Sequence, residues 1–298
     1  MRSLKYYLNK AYKEKWAIGQ FNFSDFSQVK GIVAAAKNLN SPIILGTSEG
    51  ESKFVGLSEA VAIRNVLRKE TGLPIFLNLD HGKSFEYLKT AVLAGYDMVH
   101  FDGSKLPIEE NIEISKKVVN FAKNLPAGRQ ERIVVEGEVG RFSNDASRLY
   151  QEKFEIKEED LTDPNEALRY LGKTSVDVLA VSVGTFHGID ISVVSPHIRL
   201  DRLKEIRQLA EKNKISILLV LHGGSGTPEE DIKESIKLGV VKININTEIR
   251  LAFTSNLRKS LDINANEITP YKYLQVPINS VQMAVEAKIK LFGSDNKA

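Results

Sequence analysis

Three of the chain's five histidines stand in short, glycine-flanked motifs: Leu79-Asp80-His81-Gly82, Gly184-Thr185-Phe186-His187-Gly188 and Leu221-His222-Gly223-Gly224-Ser225-Gly226. Each motif closes an apolar run of the kind that forms a strand. Three imidazoles and one open position are the donor set of a catalytic zinc site. A single histidine is more often a satisfied structural residue than a ligand. The same strand-end context met three times points to metal, and makes His81, His187 and His222 candidate ligands. His100 and His197 lack that context. They read as strand packing and as a loop residue.

Asp80 precedes a candidate ligand directly. In a regular strand the two side chains would point to opposite faces, but where the chain turns both reach the same mouth. Asp80 is then a candidate base beside a cation; the alternative is an aspartate that orients a ligand imidazole. Gly223-Gly224-Ser225-Gly226 runs into Thr227-Pro228. That order predicts Thr227 as an N-cap, Pro228 in the first helical turn, and free backbone N–H groups suited to phosphate. Lys242, Asn244 and Asn246 alternate along another apolar run and share one face. So much polarity inside a core needs partners or a ligand; the alternative is a polar plug remote from substrate. Asp102 and Glu138 add carboxylates at two more strand ends, able to bind a second cation or to order ligand histidines.

Eight apolar runs must position these residues: Ala17–Phe23, Pro42–Thr47, Pro74–Leu79, Met98–Phe101, Ile133–Val139, Val178–Val183, Ser216–Leu221 and Val241–Ile245. Most are continuously apolar, as parallel strands covered on both faces are. Helical periodicity fills the intervals: Ser27–Leu39, Leu57–Glu70, Phe85–Ala94, Glu109–Asn124, Pro164–Leu171, Leu200–Lys212 and Pro228–Leu238, with Gly95, Gly172 and Gly239 as C-caps. Eight strand–helix units in 298 residues predict an α/β fold, a (β/α)8 TIM barrel with extra terminal helices, in a single domain over residues 1–298. An open doubly wound sheet is the runner-up, but no Gly-x-Gly-x-x-Gly follows the first strand. The stretch 140–163 shows no element and reads as a charged lid or a solvated excursion. The sequence after Ile268 reads as helical.

The net charge of +3 is too even to argue for nucleic acid or a membrane surface. There is no cysteine, so thiolate ligands and a cysteine nucleophile are excluded. No apolar run is long enough to span a bilayer, and the N-terminus has no signal-like core, so a cytoplasmic location is expected.

These motifs are specific enough to identify a family. From Gly19-Gln20-Phe21-Asn22 to Tyr271-Lys272-Tyr273-Leu274 the chain resembles the class II, metal-dependent fructose-bisphosphate aldolases and their tagatose-bisphosphate relatives. The most specific motifs are Leu-Asp-His-Gly, Gly-Thr-x-His-Gly, Leu-His-Gly-Gly-Ser-Gly and Lys-Ile-Asn-Ile-x-Thr-Glu. The resemblance implies zinc-dependent, reversible cleavage of fructose 1,6-bisphosphate to dihydroxyacetone phosphate and glyceraldehyde 3-phosphate, in glycolysis or gluconeogenesis. It implies zinc on His81, His187 and His222, and Asp80 as the group that exchanges a proton with the C4 hydroxyl. Gly188, Gly223, Ser225 and Thr247 would hold the ketose-phosphate end, with a monovalent cation (Na+ or K+) nearby. Asn244 would contact the ketone and enediolate, Asn22 and Ser48 match polar positions near substrate, and Arg250 matches a position that meets the far phosphate. The resemblance also implies a homo-oligomer, dimer or tetramer.

Three departures bear on specificity. Asn246 stands where fructose-type members carry aspartate and tagatose-type members alanine, while Arg250 favours fructose. Asn78 replaces a histidine common two residues before the aspartate. The loop after the fifth strand, residues 141–152, lacks the usual glycine-rich acidic stretch, which makes Asp145 the first candidate for its acid and Glu152 the second. The alternatives are tagatose 1,6-bisphosphate or another ketose phosphate as substrate, a zinc hydrolase, and a non-catalytic sugar-phosphate binding protein.

Overall fold

The computed structural model of the chain describes residues 2–125, 132–141, 148–150, 157–185, 188–190 and 197–298. Its strands are β1 (Ile18–Asn22), β2 (Ile43–Ser48), β3 (Ile75–Gly82), β4 (Met98–Phe101), β5 (Val134–Val139), β6 (Arg148–Tyr150), β7 (Val178–Val181), β8 (Gly188–Asp190), β9 (Leu219–Leu221) and β10 (Val240–Ile245). Eight of them close into a parallel barrel in the order β1-β10-β9-β7-β5-β4-β3-β2. Every strand expected from an apolar run is in it.

Alternation along the strands sorts the side chains. One set, including Phe21, Leu45, Leu77, Val99, Val135, Leu179 and Ile243, is buried between the sheet and the surrounding helices. The other points inward. Its lowest tier is apolar: Ile18, Ile44, Phe76, Met98, Val134, Val178 and Val220 pack against Leu4, Leu8 and Trp16 of the N-terminal segment, whose helix Leu4–Glu14 closes that end. Further along five of the strands the inward positions turn polar, with Gln20, Asn78, His100, Glu136 and Lys242 all buried. One step beyond are Asn22, Asp80, Glu138 and Asn244, at the C-terminal ends of the strands, where barrel enzymes place their chemistry.

The expected helices form within a few residues of their expected ends, with three corrections. Gly172 is no C-cap: helix Pro164–Thr174 runs through it and stops at Ser175, which takes the left-handed conformation. Pro228 is itself the N-cap of helix Glu229–Lys237, and the Thr227 hydroxyl donates to the Gly223 carbonyl instead. The stretch 140–163 is not without structure, since β6 lies in it and pairs in parallel with β8 as a separate two-stranded sheet. Three-residue strands carry too little periodicity to be read from sequence. The C-terminal helix Gln275–Phe292 buries Val281, Val285, Ile289 and Phe292 against this chain's own barrel.

Candidate active site

The site begins at an irregularity in β3. Register with β4 shifts between Leu79 and Gly82, and His81 has a positive φ of 50°. A non-glycine residue there costs free energy and marks places where geometry is imposed by function. The turn brings Asp80 and His81, which regular alternation would separate, to the same cleft.

Two of the expected ligand imidazoles meet in this cleft. His81 Nε2 and His222 Nδ1 are 3.1 Å apart. The far nitrogen of each ring faces a carboxylate: His81 Nδ1 lies 2.9 Å from Asp102 Oδ2, and His222 Nε2 lies 2.6 Å from Glu136 Oε1. In its neutral form each ring carries its proton toward its carboxylate. The two inner nitrogens face one another at hydrogen-bonding distance, a position that a shared proton or a metal ion between them can occupy. Glu138 reinforces this. Its carboxylate is fully buried 3.9 Å from His222 Nδ1, with neither oxygen satisfied by an aligned donor among the described residues. Burial and the nearby Asp102 charge push its carboxyl up to about 7. Buried oxygens without donors are costly unless a metal or proton satisfies them. Two imidazoles backed by carboxylates, with a third carboxylate beside them, fit a divalent metal. His187 lies outside the described residues.

Asp80 is anchored at both oxygens. Asn22 Nδ2 donates to Oδ2 at 3.0 Å and Asn244 Nδ2 to Oδ1 at 3.1 Å. Burial alone would raise its carboxyl, but His81, His100, His222 and Lys242 outweigh burial and hold it well below the usual carboxylate range. It is an ionised, oriented base. Asn244 accepts in turn from Lys242 Nζ at 2.7 Å, and Lys242 also donates to Glu136 Oε2 at 2.8 Å. The polarity of β10 is thus partnered to the base and to a histidine's carboxylate, rather than forming a plug remote from the cleft.

The cleft, about 530 Å³, opens above these groups. Gly188, Gly223, Ser225, Thr247, Asn22, Ser48 and Arg250 all line its wall. Asn246 also faces it, with a buried Oδ1 that has no partner among the described residues. The phosphate-loop expectation needs adjustment. The Gly226 N–H donates to Glu248 Oε1 at 2.7 Å, and the following helix opens with Glu229, Glu230 and Asp231, which offset its dipole. The Gly224 N–H donates to the Asn244 carbonyl at 3.3 Å, so what remains for an anion in this loop is Gly223 and Ser225. Asp145 and Glu152 lie outside the described residues.

Three contributors escaped the sequence reading. His100 is not strand packing: it is fully buried inside the barrel, its Nδ1 accepts from the His81 N–H at 3.1 Å, and its Nε2 lies 3.0 Å from Glu138 Oε2. Glu136 backs His222. Glu51 accepts from Asn22 Nδ2 at 3.1 Å and from Arg250 Nη2 at 2.6 Å, so it links Asn22, and through it Asp80, to an arginine that lines the cleft. The capping pattern Ser48-x-x-Glu51 was the available signal for Glu51, since the Ser48 N–H donates to its Oε2 at 2.7 Å. Alternation from Met98 through His100 to Asp102 was the signal for His100.

A family model described as class-II fructose-bisphosphate aldolase matches residues 2–297. The chain belongs to that family. It is an aldolase, a carbon–carbon lyase, and the family is metal-dependent and acts on sugar phosphates. The aldolase is 35% identical over 99% of its length to a fructose-bisphosphate aldolase of Geobacillus stearothermophilus, covering 98% of that protein. It is 38% identical over 97% of its length to a 6-phospho-5-dehydro-2-deoxy-D-gluconate aldolase of Shouchella clausii, covering 93% of that one. Among solved structures, the YdjI aldolase of Escherichia coli K12 superposes with a TM-score of 0.79 at 28% identity, over 100% of this chain and 99% of that one. No helix among the described residues is long and apolar enough to cross a membrane.

Proposed function

We propose that this aldolase cleaves a ketose 1-phosphate, with fructose 1,6-bisphosphate as the leading candidate, reversibly to dihydroxyacetone phosphate and an aldehyde, with zinc held by His81, His187 and His222. The observation that carries the reading is the pair of carboxylate-backed imidazoles whose inner nitrogens converge at 3.1 Å, next to an ionised aspartate fixed by two amides. When bound, the metal supplies Lewis acidity toward the ketone and hydroxyl oxygens.

The chain's own residues account for the rest. Asp80 takes the proton of the C4 hydroxyl, the C3–C4 bond breaks, and its electron pair passes into an enediolate while C4 becomes an aldehyde. The enediolate then takes a proton at C3. Asn22 and Asn244 keep the Asp80 carboxylate aimed, and Asn244 also stands where the enediolate oxygen develops charge. Gly188, Gly223, Ser225 and Thr247 form the subsite for the ketose phosphate, with a sodium or potassium ion as an accompanying counter-charge. Asp102 and Glu138 act on the metal site, Asp102 by orienting His81 and Glu138 as a further ligand position. Asp145 is the first candidate to exchange the proton at C3. Arg250, facing the cleft and braced by Glu51, meets the distal end of the substrate and favours an anionic group there. On this reading the enzyme works in central sugar metabolism in the cytoplasm, as a homo-oligomer.

The test is a coupled triose-phosphate release assay with fructose and tagatose 1,6-bisphosphate in parallel, each with and without chelator. Chelator-sensitive cleavage that favours fructose is expected. Preference for tagatose would keep the mechanism and move the substrate. Zinc binding with no cleavage of either would favour a binding role or another ketose phosphate.

A further inference from the structure

His100 has no place in the reaction as derived above, yet it sits at the centre of the site. Its ring lies 4.7 Å from that of His81 and 4.8 Å from that of His222, centroid to centroid. Its Nδ1 accepts the His81 backbone N–H at 3.1 Å, with Asp80 Oδ1 3.6 Å from the same nitrogen. An imidazole nitrogen that accepts a hydrogen bond carries no proton, so where the His81 N–H engages Nδ1 the ring's proton is on Nε2. A second proton on Nδ1 would confront the His81 N–H. With Nδ1 engaged and Nε2 protonated, neither nitrogen offers a lone pair to a metal, although the ring stands among residues that do.

Among the described residues, that Nε2 proton faces the Glu138 carboxylate. Glu138 Oε2 lies 3.0 Å from Nε2. The approach is off-axis, and neither Nε2 nor the two Glu138 oxygens has a well-aligned partner among the described residues. Glu138 stands at a register position from which it also comes within 4.0 Å of His81 Nδ1 and 3.9 Å of His222 Nδ1. The same His100 ring therefore touches the backbone that gives His81 its left-handed turn and the carboxylate beside the metal position.

We infer that His100 is a positioning residue, not a metal ligand: its Nδ1 holds the His81 turn and its Nε2–H holds the Glu138 carboxylate against the metal position. This inference rests on the metal-site reading of the proposed function. Hydrogen-bond partners one shell removed from a metal typically change its affinity by about 10- to 100-fold when removed. Glutamine offers the same pair of functions, a carbonyl oxygen for the His81 N–H and an amide N–H for Glu138; leucine offers neither.

The experiment measures zinc affinity by competition with a chromophoric chelator for the parental protein, H100Q and H100L, together with thermal unfolding of the metal-free forms. Expected is a zinc Kd about 10- to 100-fold weaker in H100L and within about threefold of parental in H100Q. A packing role alone would lower the melting temperature and leave Kd unmoved, which would overturn the inference, as would H100Q being as weak as H100L. If H100L does not fold, histidine 15N NMR of the parental protein during zinc loading decides. A buried ring that stays protonated on Nε2 without taking metal supports the inference, and four metal-bound rings overturn it. A parental protein that binds no zinc at all would instead defeat the metal-site reading, and this inference with it.

Discussion

Asp80 is ionised, buried and tied by both oxygens, and such a group loses its role when its carboxylate is removed. The expected outcome for Asp80→Ala is therefore retention of zinc with cleavage lowered by about 100-fold or more, read by metal analysis beside the triose-phosphate assay. A variant that cleaved at the parental rate would remove Asp80 from the mechanism. Acid sensitivity belongs to the same scale. In the metal-free protein burial pushes the His222 imidazole down to about 4 from 6.5. Burial and Asp102 push the Glu138 carboxyl up to about 7 from 4.5. A lowered imidazole contributes stability that is complete above its unfolded value and is lost as pH falls toward the folded one. A raised carboxyl contributes stability that is complete below its unfolded value and is lost as pH rises through the folded one. Between about pH 5 and 6.5 the two effects oppose, each worth about 1.4 kcal/mol per pH unit. Glu138→Gln removes one arm. Relative to the parental protein it should lose about 2 kcal/mol more on going from pH 6.5 to 5 in the presence of chelator, as followed by denaturant titration. Parallel curves for the two proteins would mean that Glu138 is not raised.

At the scale of elements, the site depends on close approach between β1, β2 and β3. Gly46 pairs with Asn22 on one side and Asn78 on the other. A Cβ on Gly46 would collide with Asn22 Oδ1 and lie 2.8 Å from Gln20 Nε2. Asn22 cannot yield without releasing Asp80. Gly46→Ala should therefore leave the barrel folded, at a cost of about 1–3 kcal/mol from overpacking, while cleavage falls more than metal binding does. A kinetic comparison at saturating zinc checks this, and unchanged kcat/KM would mean that the Asn22–Asp80 bond is dispensable. Similarly, β3 brings the proposed base Asp80 and the proposed ligand His81 to one cleft because its register breaks before Gly82.

Across the whole molecule, stability and chemistry occupy opposite ends. Below the barrel, Asp97 Oδ2 accepts from Arg64, from the Leu77 N–H at 2.8 Å, and pairs with Arg68 at 3.1 Å. Arg64 is 4% exposed. Replacing one partner of a buried pair strands the other charge, so Arg64→Met should cost about 3–5 kcal/mol of stability with kcat/KM per folded molecule unchanged. Chemical denaturation and active-site titration together separate the two effects. A loss of kcat/KM would show that the two ends are coupled.

How much of this was legible beforehand follows from the range of the interactions involved. Continuous apolar runs and helical periodicity are local properties, and they determined the eight strands, the helices between them and the strand-end position of Asp80, His81 and His222. Glycine-flanked motifs are local too, and they marked those residues without any knowledge of neighbours. What only the tertiary structure decided lies between elements. Which nitrogen of each imidazole faces inward depends on Asp102 and Glu136, 21 and 86 residues away from their histidines. His100 sits in an apolar run, Met98-Val99-His100-Phe101, and its inward neighbours Asp80 and Glu138 come from other strands. Glu51 becomes part of the site only because Arg250, 199 residues later, folds onto it. A single sequence records its own periodicity; it does not record which polar side chains the closing of the barrel will place within hydrogen-bonding distance, because that is set by register and shear across strands.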